Sequence, residues 1–128
     1  MSGRVLHTIE PFFDKNSRIL ILGTMPSPVS RKEGFYYAHP QNRFWSVLAA
    51  VYGTETPYGT EQRKAFLRER GIALWDVLAS CYIEGASDAS IKNAEPNPIR
   101  YVLERAPIAA IFTTGTKAAQ LYHRLCYP

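Results

Sequence analysis

An α/β domain with a short, mainly parallel central sheet between two layers of helices is what this 128-residue sequence predicts, and three observations predict it. Two short segments are continuously apolar instead of alternating, as strands buried on both faces are. Helical periodicities lie between and after them. The order reads β, α, α, β, α, β, α, and right-handed crossovers then leave an α/β/α sandwich as the simple topology.

The first clear element is Arg18-Ile19-Leu20-Ile21-Leu22-Gly23, an apolar strand closed by glycine. Thr24-Met25-Pro26-Ser27-Pro28 and Ser30 follow, and two prolines lacking donors stop the strand and predict a rigid loop at its C-terminal edge. In open α/β sheets ligands bind at that edge. Residues 31 to 41 read as a polar and aromatic loop. Residues 42 to 52 place Phe44, Val47, Leu48 and Val51 at helical spacing and end at Gly53, which predicts a short amphipathic helix. A connector over 53 to 60 leads to a charged surface helix over 61 to 70, ended by Gly71. Residues 72 to 78 predict a strand. Residues 80 to 98, rich in Ser, Asp, Asn, Pro and Gly, predict a long loop or short helical turns. A helix over 98 to 105, a second buried strand over 108 to 114 and a helix over 116 to 125 complete the series. One domain over residues 1 to 128 is expected, without repeats or linkers. An open α/β domain usually adds one more strand and helix after such a helix, so a C-terminally shortened domain is expected.

With 46% hydrophobic and 20% charged residues, the chain buries enough apolar surface to exclude wholesale disorder. A net charge of +4 favours an anionic partner, nucleic acid included, and equally fits a mildly basic enzyme. Cys81 and Cys126 stand alone without a CxxC, which disfavours a disulfide framework, a zinc ribbon and an iron–sulfur site; no metal and no cofactor are expected. No run reaches the ~18 apolar residues of a membrane span, so the expectation is a monomeric cytoplasmic protein with no membrane partner.

The informative block is Gly34-Phe35-Tyr36-Tyr37-Ala38-His39-Pro40-Gln41-Asn42-Arg43-Phe44-Trp45. Three consecutive aromatics followed by His, Asn and Arg suit a slot that stacks a planar base and reads its edge. Phe35, Phe44 and Trp45 equally suit the core, while Tyr36 and Tyr37, in a loop, lean toward the ligand. Asp14, Asp76 and Asp88 are scattered, with no GxSxG or Walker-type loop beside them, and Asp76 reads as structural.

Gly23-Thr24-Met25-Pro26-Ser27, Ser30 and the block Phe35 to Trp45 resemble the signature of hypoxanthine-DNA glycosylases, also called DNA-deoxyinosine glycosylases, within the uracil-DNA glycosylase superfamily. The likeness continues through Gly71 to Leu78, Ser87-Asp88, Ile91-Lys92-Asn93 and Gly115 with Lys117-Ala118-Ala119. The resemblance implies the superfamily's α/β/α fold and a DNA repair enzyme that hydrolyses the N-glycosidic bond of a flipped, deaminated base, hypoxanthine or uracil. The partner it implies is DNA containing such bases, and the expected reaction uses neither a metal nor a covalent lysine intermediate.

Carried onto this sequence, the resemblance gives Gly23, Thr24, Met25, Pro26 and Ser27 as lining of the base pocket, with Gly23 permitting close approach. Met25 stands where many relatives orient water with Asp or Asn, and Met cannot do so. The catalytic role then passes to Asn42, which either orients a water or hydrogen-bonds the departing base; as a residue type it equally suits an N-cap of the following helix. Tyr37 matches the ring that stacks on the base, Tyr36 lies beside it, and His39 either donates to the base or braces the loop. Ser30, Arg31, Lys32 and Lys117 are candidates for backbone phosphates. Relatives carry a further Pro/Ser-rich loop after the last strand, which supplies the wedge replacing the flipped base; this sequence stops before such a loop, so either a shortened domain or one without the wedge is expected, and Thr114 stands where relatives often have Asn. Two rivals remain open: a non-catalytic nucleic-acid-binding or damage-recognition module, and an N-glycosidase of free nucleosides or nucleotides.

Overall fold

A computed structural model describes residues 4–7, 9–26, 28–39, 42–83 and 90–126. Its elements in chain order are β1 (Arg4–Leu6), β2 (Ile19–Gly23), α1 (Pro28–Glu33), α2 (Phe44–Tyr52), α3 (Gly59–Arg70), β3 (Ile72–Asp76), β4 (Leu78–Tyr82), β5 (Lys92–Pro96), α4 (Arg100–Leu103), β6 (Ala110–Thr113) and α5 (Thr116–Leu121), the last running into a π-helical turn, Tyr122–Cys126.

The apolar run expected as a buried strand is β2, the middle strand of a parallel sheet of order β3-β2-β6. Leu20 and Leu22 on one face and Ile21 on the other are buried, which explains why the run does not alternate. Register sets Ile19 beside Ile72 and Ala110, and Gly23 beside Asp76. The C-terminal ends of all three strands therefore open on one edge, where Gly23, Asp76 and Thr114 meet. A bridge from Phe12 to Leu74 covers part of the outer edge of β3, which limits its unpaired backbone.

Four expectations need correction. The strand expected over 72 to 78 ends at Asp76: Val77 N–H donates to the Gly23 carbonyl and Leu78 N–H to that of Thr24, and the chain enters a different sheet. Residues 80 to 98 are not simply a loop. An antiparallel sheet of order β1-β4-β5 forms there, pairing Val5 with Cys81 and Tyr82 with Lys92. Its outer strand reads Lys-Asn-Ala-Glu-Pro and is mostly exposed, so apolar alternation, the usual signal of a strand, is absent. Third, Pro28 opens the six-residue helix α1 inside the expected rigid loop, because a proline is tolerated at a first helical position, where its missing N–H has no partner to lose. Fourth, β6 is not buried on both faces. It is the edge of its sheet, half-buried along its length, with Phe112 56% exposed.

The helices after the aromatic block follow expectation more closely. Both α2 and α3 end on glycines in the left-handed conformation, Gly53 and Gly71, each at φ +66°. A β-carbon at Gly53 would meet nothing within 4 Å, whereas one at Gly71 would lie 3.3 Å from the Asn16 carbonyl oxygen. Gly53→Ala is therefore expected to cost about 1–2 kcal/mol from backbone conformation alone, and Gly71→Ala measurably more; equal urea midpoints for the two variants would contradict this. Among the described residues no helix is long and apolar enough to cross a membrane.

Candidate active site

The loop leaving β2 at the C-terminal edge forms one wall of a cavity of about 200 Å³, lined by Gly23, Thr24, Met25, Pro26, Ser30, Tyr36, Tyr37, Asn42, Asp76 and Thr114. That is below the roughly 300–1,000 Å³ of sites for drug-sized ligands, and suits a base-sized guest. The loop is held from within. Arg31 donates through Nη1 to the Pro26 carbonyl at 2.8 Å, and the buried Ser30 accepts the Ala38 N–H through Oγ at 3.0 Å, tying the proline loop to the aromatic loop. Arg31 and Ser30, both candidates for phosphate contact, thus brace the cavity.

The aromatics divide into core and wall. Phe35 and Trp45 are buried and stack on each other with an interplanar angle of 15°. Tyr36 is as buried as the core; its hydroxyl donates to the Glu10 carbonyl at 2.8 Å, so it reaches the cavity as scaffold. Tyr37 is different. Its backbone sits at φ +52°, a conformation L-residues rarely adopt, at a cost of order 1–3 kcal/mol that the surroundings must offset. Three contacts do so: Phe44 stacks on its ring at 3.8 Å and 11°, Trp45 Nε1–H donates to its carbonyl at 3.1 Å, and its hydroxyl shares a hydrogen bond with Thr114 Oγ1 at 3.3 Å. Tyr37, Asn42 and Thr114 also line a second, apolar groove along α2 and β6, so they partition the two spaces. Burial, followed by the negative charge of Asp76, pushes the phenols of Tyr36 and Tyr37 upward, so both keep their protons throughout the neutral range.

Asn42 lines the cavity and is exposed. Its side chain also serves the following helix from one residue before its N-cap, Arg43: Oδ1 accepts the Phe44 N–H at 2.8 Å at the start of α2. The two roles are compatible, because the bond fixes which half of the amide faces which way. With Oδ1 engaged at the helix, the Nδ2 hydrogens remain as donors.

Two residues that the sequence reading did not select stand at the site. Asp76 is buried at the end of β3 yet lines the cavity, and its Oδ2 lies 2.8 Å from Nε2 of His7, whose side chain is also buried. A carboxylate only accepts, so the imidazole proton on Nε2 points at it. The available signal was position: a carboxylate ending a buried strand beside Gly23. His7 had none, since its 69-residue separation from Asp76 is closed only by the fold.

The remaining candidates lie elsewhere. His39 is exposed and outside the cavity lining, with its carbonyl accepting the Asn42 N–H at 2.9 Å. Lys32 is exposed on α1, and Lys117 is half-buried in α5. Ser27, like Ser87 and Asp88 of the resemblance, falls outside the described residues. Among the described residues no group of three or more His, Cys, Asp or Glu could hold a metal.

Gly23 shows how tightly these parts converge. A β-carbon there would stand 2.5 Å from Asp76 Oδ1, 3.1 Å from the Tyr37 hydroxyl and 3.4 Å from Thr114 Oγ1. Gly23→Ala must therefore displace the carboxylate. Since a displacement of 1 Å at a reacting centre can cost about 10²-fold, a folded Gly23→Ala protein is expected to turn over roughly tenfold to a hundredfold more slowly. A variant as fast as wild type in single-turnover kinetics would remove Gly23 from the account.

Comparison with known proteins places this geometry in context. Residues 10–127 match the family model described as the uracil DNA glycosylase superfamily. Over 112 residues the chain is 34% identical to a protein of Methanosarcina barkeri named hypoxanthine DNA glycosylase, covering 86% of this chain and 71% of that protein. A protein of the same name from Methanosarcina acetivorans is 33% identical over 109 residues, with 84% and 69% covered. Among solved structures, a solution structure from Methanosarcina acetivorans, provisionally named a uracil DNA glycosylase, superposes with a TM-score of 0.79 at 31% identity, covering 91% of this chain and 73% of that one.

Proposed function

The chain belongs to the uracil DNA glycosylase superfamily, and from that premise we propose that it removes hypoxanthine from DNA by hydrolysing the N-glycosidic bond of a base turned out of the helix. The observation that carries the reading is the base-sized cavity at the C-terminal edge of the sheet, walled by Tyr37 and bordered by Asn42. The two Methanosarcina relatives named hypoxanthine DNA glycosylase support the choice of base.

In the proposed reaction a base enters between the proline loop and Tyr37, whose ring is braced from behind by Phe44. The C1′–N9 bond breaks with its electron pair leaving on the base, water oxygen bonds to C1′, and the water's proton is released to the base or solvent. The sugar passes through an oxocarbenium-like state, so the reaction needs stabilised charge and a held leaving group more than a strong nucleophile. Asn42 supplies the second need, as a donor. Its amide, oriented by the Phe44 N–H, presents Nδ2–H to the charge developing on the departing base. A neutral amide takes up no proton, so Asn42 acts by hydrogen bonding alone.

The test is product analysis. Duplexes carrying one deoxyinosine or one deoxyuridine are incubated with the protein; free hypoxanthine and an alkali-labile abasic strand are expected, with no borohydride-trapped protein–DNA adduct. Binding to these duplexes should weaken steeply as salt rises, through release of condensed counterions. Intact deoxyinosine strands at stoichiometric protein would overturn the reading, and equal hydrolysis of free deoxyinosine would reassign the substrate to nucleosides.

A further inference from the structure

Arg63 sits in the second turn of α3, its guanidinium carbon 5.1 Å from the centre of the Trp45 ring. The residue is half-buried, and among the described residues its Nε is the one buried side-chain nitrogen or oxygen without a hydrogen-bond partner. No described carboxylate pairs with it, whereas its neighbour Lys64 reaches Glu61 at 3.9 Å. Arg70 and Arg105 are anchored differently: each lies over a ring, Phe66 and Tyr101, and also donates to that residue's carbonyl. A donor left unmade in the interior costs stability, and burial penalises the charge of Arg63 as well. A long apolar side chain would pack there at least as well, so packing alone does not account for an arginine.

The ring beneath the guanidinium is the one that holds the cavity wall. Trp45 donates through Nε1 to the Tyr37 carbonyl at 3.1 Å, and Tyr37 keeps a backbone at φ +52° that L-residues rarely adopt. A cation over an indole face is attracted by the ring's negative quadrupole. It also draws electron density from the ring, which makes Nε1–H a stronger donor, because linked polar contacts polarise one another. We propose that Arg63 is a positioning residue for base release: its charge, acting through Trp45, keeps Tyr37 at the cavity wall. Its consequence for turnover rests on the base-excision reading, whereas the coupling of Arg63 to Tyr37 does not. Arg63 is absent from the cavity lining, so it reaches the base only through Tyr37.

Arg63→Met keeps an apolar stem and drops the charge; Arg63→Gln drops the charge and stays polar. Both are expected to raise the KM for a deoxyinosine duplex about two- to fivefold, the effect of losing one cation–ring contact, with little change in kcat. Arg63→Lys keeps a cation over the ring and should stay within about twofold of wild type. The Trp45 indole N–H, assigned in the NMR spectrum by its loss in Trp45→Phe, should move upfield and exchange with solvent about two- to fivefold faster in both neutral variants. In the Trp45→Phe background no N–H reaches Tyr37, so Arg63→Met should leave KM where Trp45→Phe alone puts it. The salt dependence of duplex binding should match wild type; a slope lowered by about one would make Arg63 a phosphate contact instead and overturn the proposal. Unchanged indole exchange in both neutral variants, Arg63→Lys as impaired as Arg63→Met, or a KM effect that persists beside Trp45→Phe would each overturn it as well. A wild type that releases no hypoxanthine, with faster indole exchange in the neutral variants, would sink the excision reading and leave the coupling of Arg63 to Tyr37 standing.

Discussion

Replacing Asn42 by alanine is expected to slow base release by about 10²–10³-fold, the range seen when one donor to developing charge is removed. The same substitution also removes the side-chain bond at the start of α2, since Asn42 Oδ1 accepts the Phe44 N–H, and that should cost about 1 kcal/mol of stability. The two losses are separable. In Asn42→Asp the carboxylate still accepts the Phe44 N–H and adds a favourable charge at the helix start, while the amide donor is gone. Asn42→Asp is therefore expected to match or exceed wild type in thermal midpoint and to be about as slow as Asn42→Ala in single-turnover release. If Asn42→Asp retained wild-type speed, Asn42 would serve only the start of α2.

Trp45→Ala should be the most destabilising single change near the site. The side chain is 2% exposed, stacks on Phe35, meets Phe44 edge-on at 5.0 Å and donates through Nε1 to the Tyr37 carbonyl. Truncating such a residue costs about 3–5 kcal/mol, a large share of the roughly 5–15 kcal/mol that holds a domain together, and lowers the melting midpoint by roughly 10–20 °C. The loss also reaches function, because the Trp45 bond is one of three contacts holding Tyr37 at φ +52°. Trp45→Phe refills most of the volume but leaves that carbonyl without its donor, so it should cost about 1–2 kcal/mol and raise the KM for lesion-containing duplex. A Trp45→Ala protein melting within 3 °C of wild type, roughly the effect of 1 kcal/mol, would show that the aromatic loop is held by other means.

The parallel sheet was legible because burial on both faces leaves a direct mark: Ile19 to Leu22 contains no polar residue, and Ile72 to Trp75 none. Gly53 and Gly71 marked the ends of their helices for a similar reason, since the left-handed caps they form favour glycine. The second sheet left no such mark. Its strands are held by pairing with Leu78–Tyr82 and by Asn97, which donates to the carbonyls of Asp76 and Leu78, and backbone pairing of a polar strand is invisible to hydropathy. At the site, the proline loop and aromatic block could be read because chemistry is concentrated in two short stretches. Asp76 and His7 could not: one resembled any strand-ending carboxylate, and the other becomes its neighbour only after β1 and β4 pair. Three adjacent aromatics look alike in sequence, and only packing separates them: Phe35 is core, Tyr36 is buried yet borders the cavity, and Tyr37 forms its wall.

The central claim is that a deaminated purine occupies the cavity beside Asn42. A crystal structure of the Asn42→Ala protein bound to duplex DNA carrying one deoxyinosine tests it most directly. The account predicts the hypoxanthine ring out of the helix, in the cavity against Tyr37. A hypoxanthine still stacked and paired within the duplex, or bound in the apolar groove along α2 and β6 with the cavity empty, would contradict it.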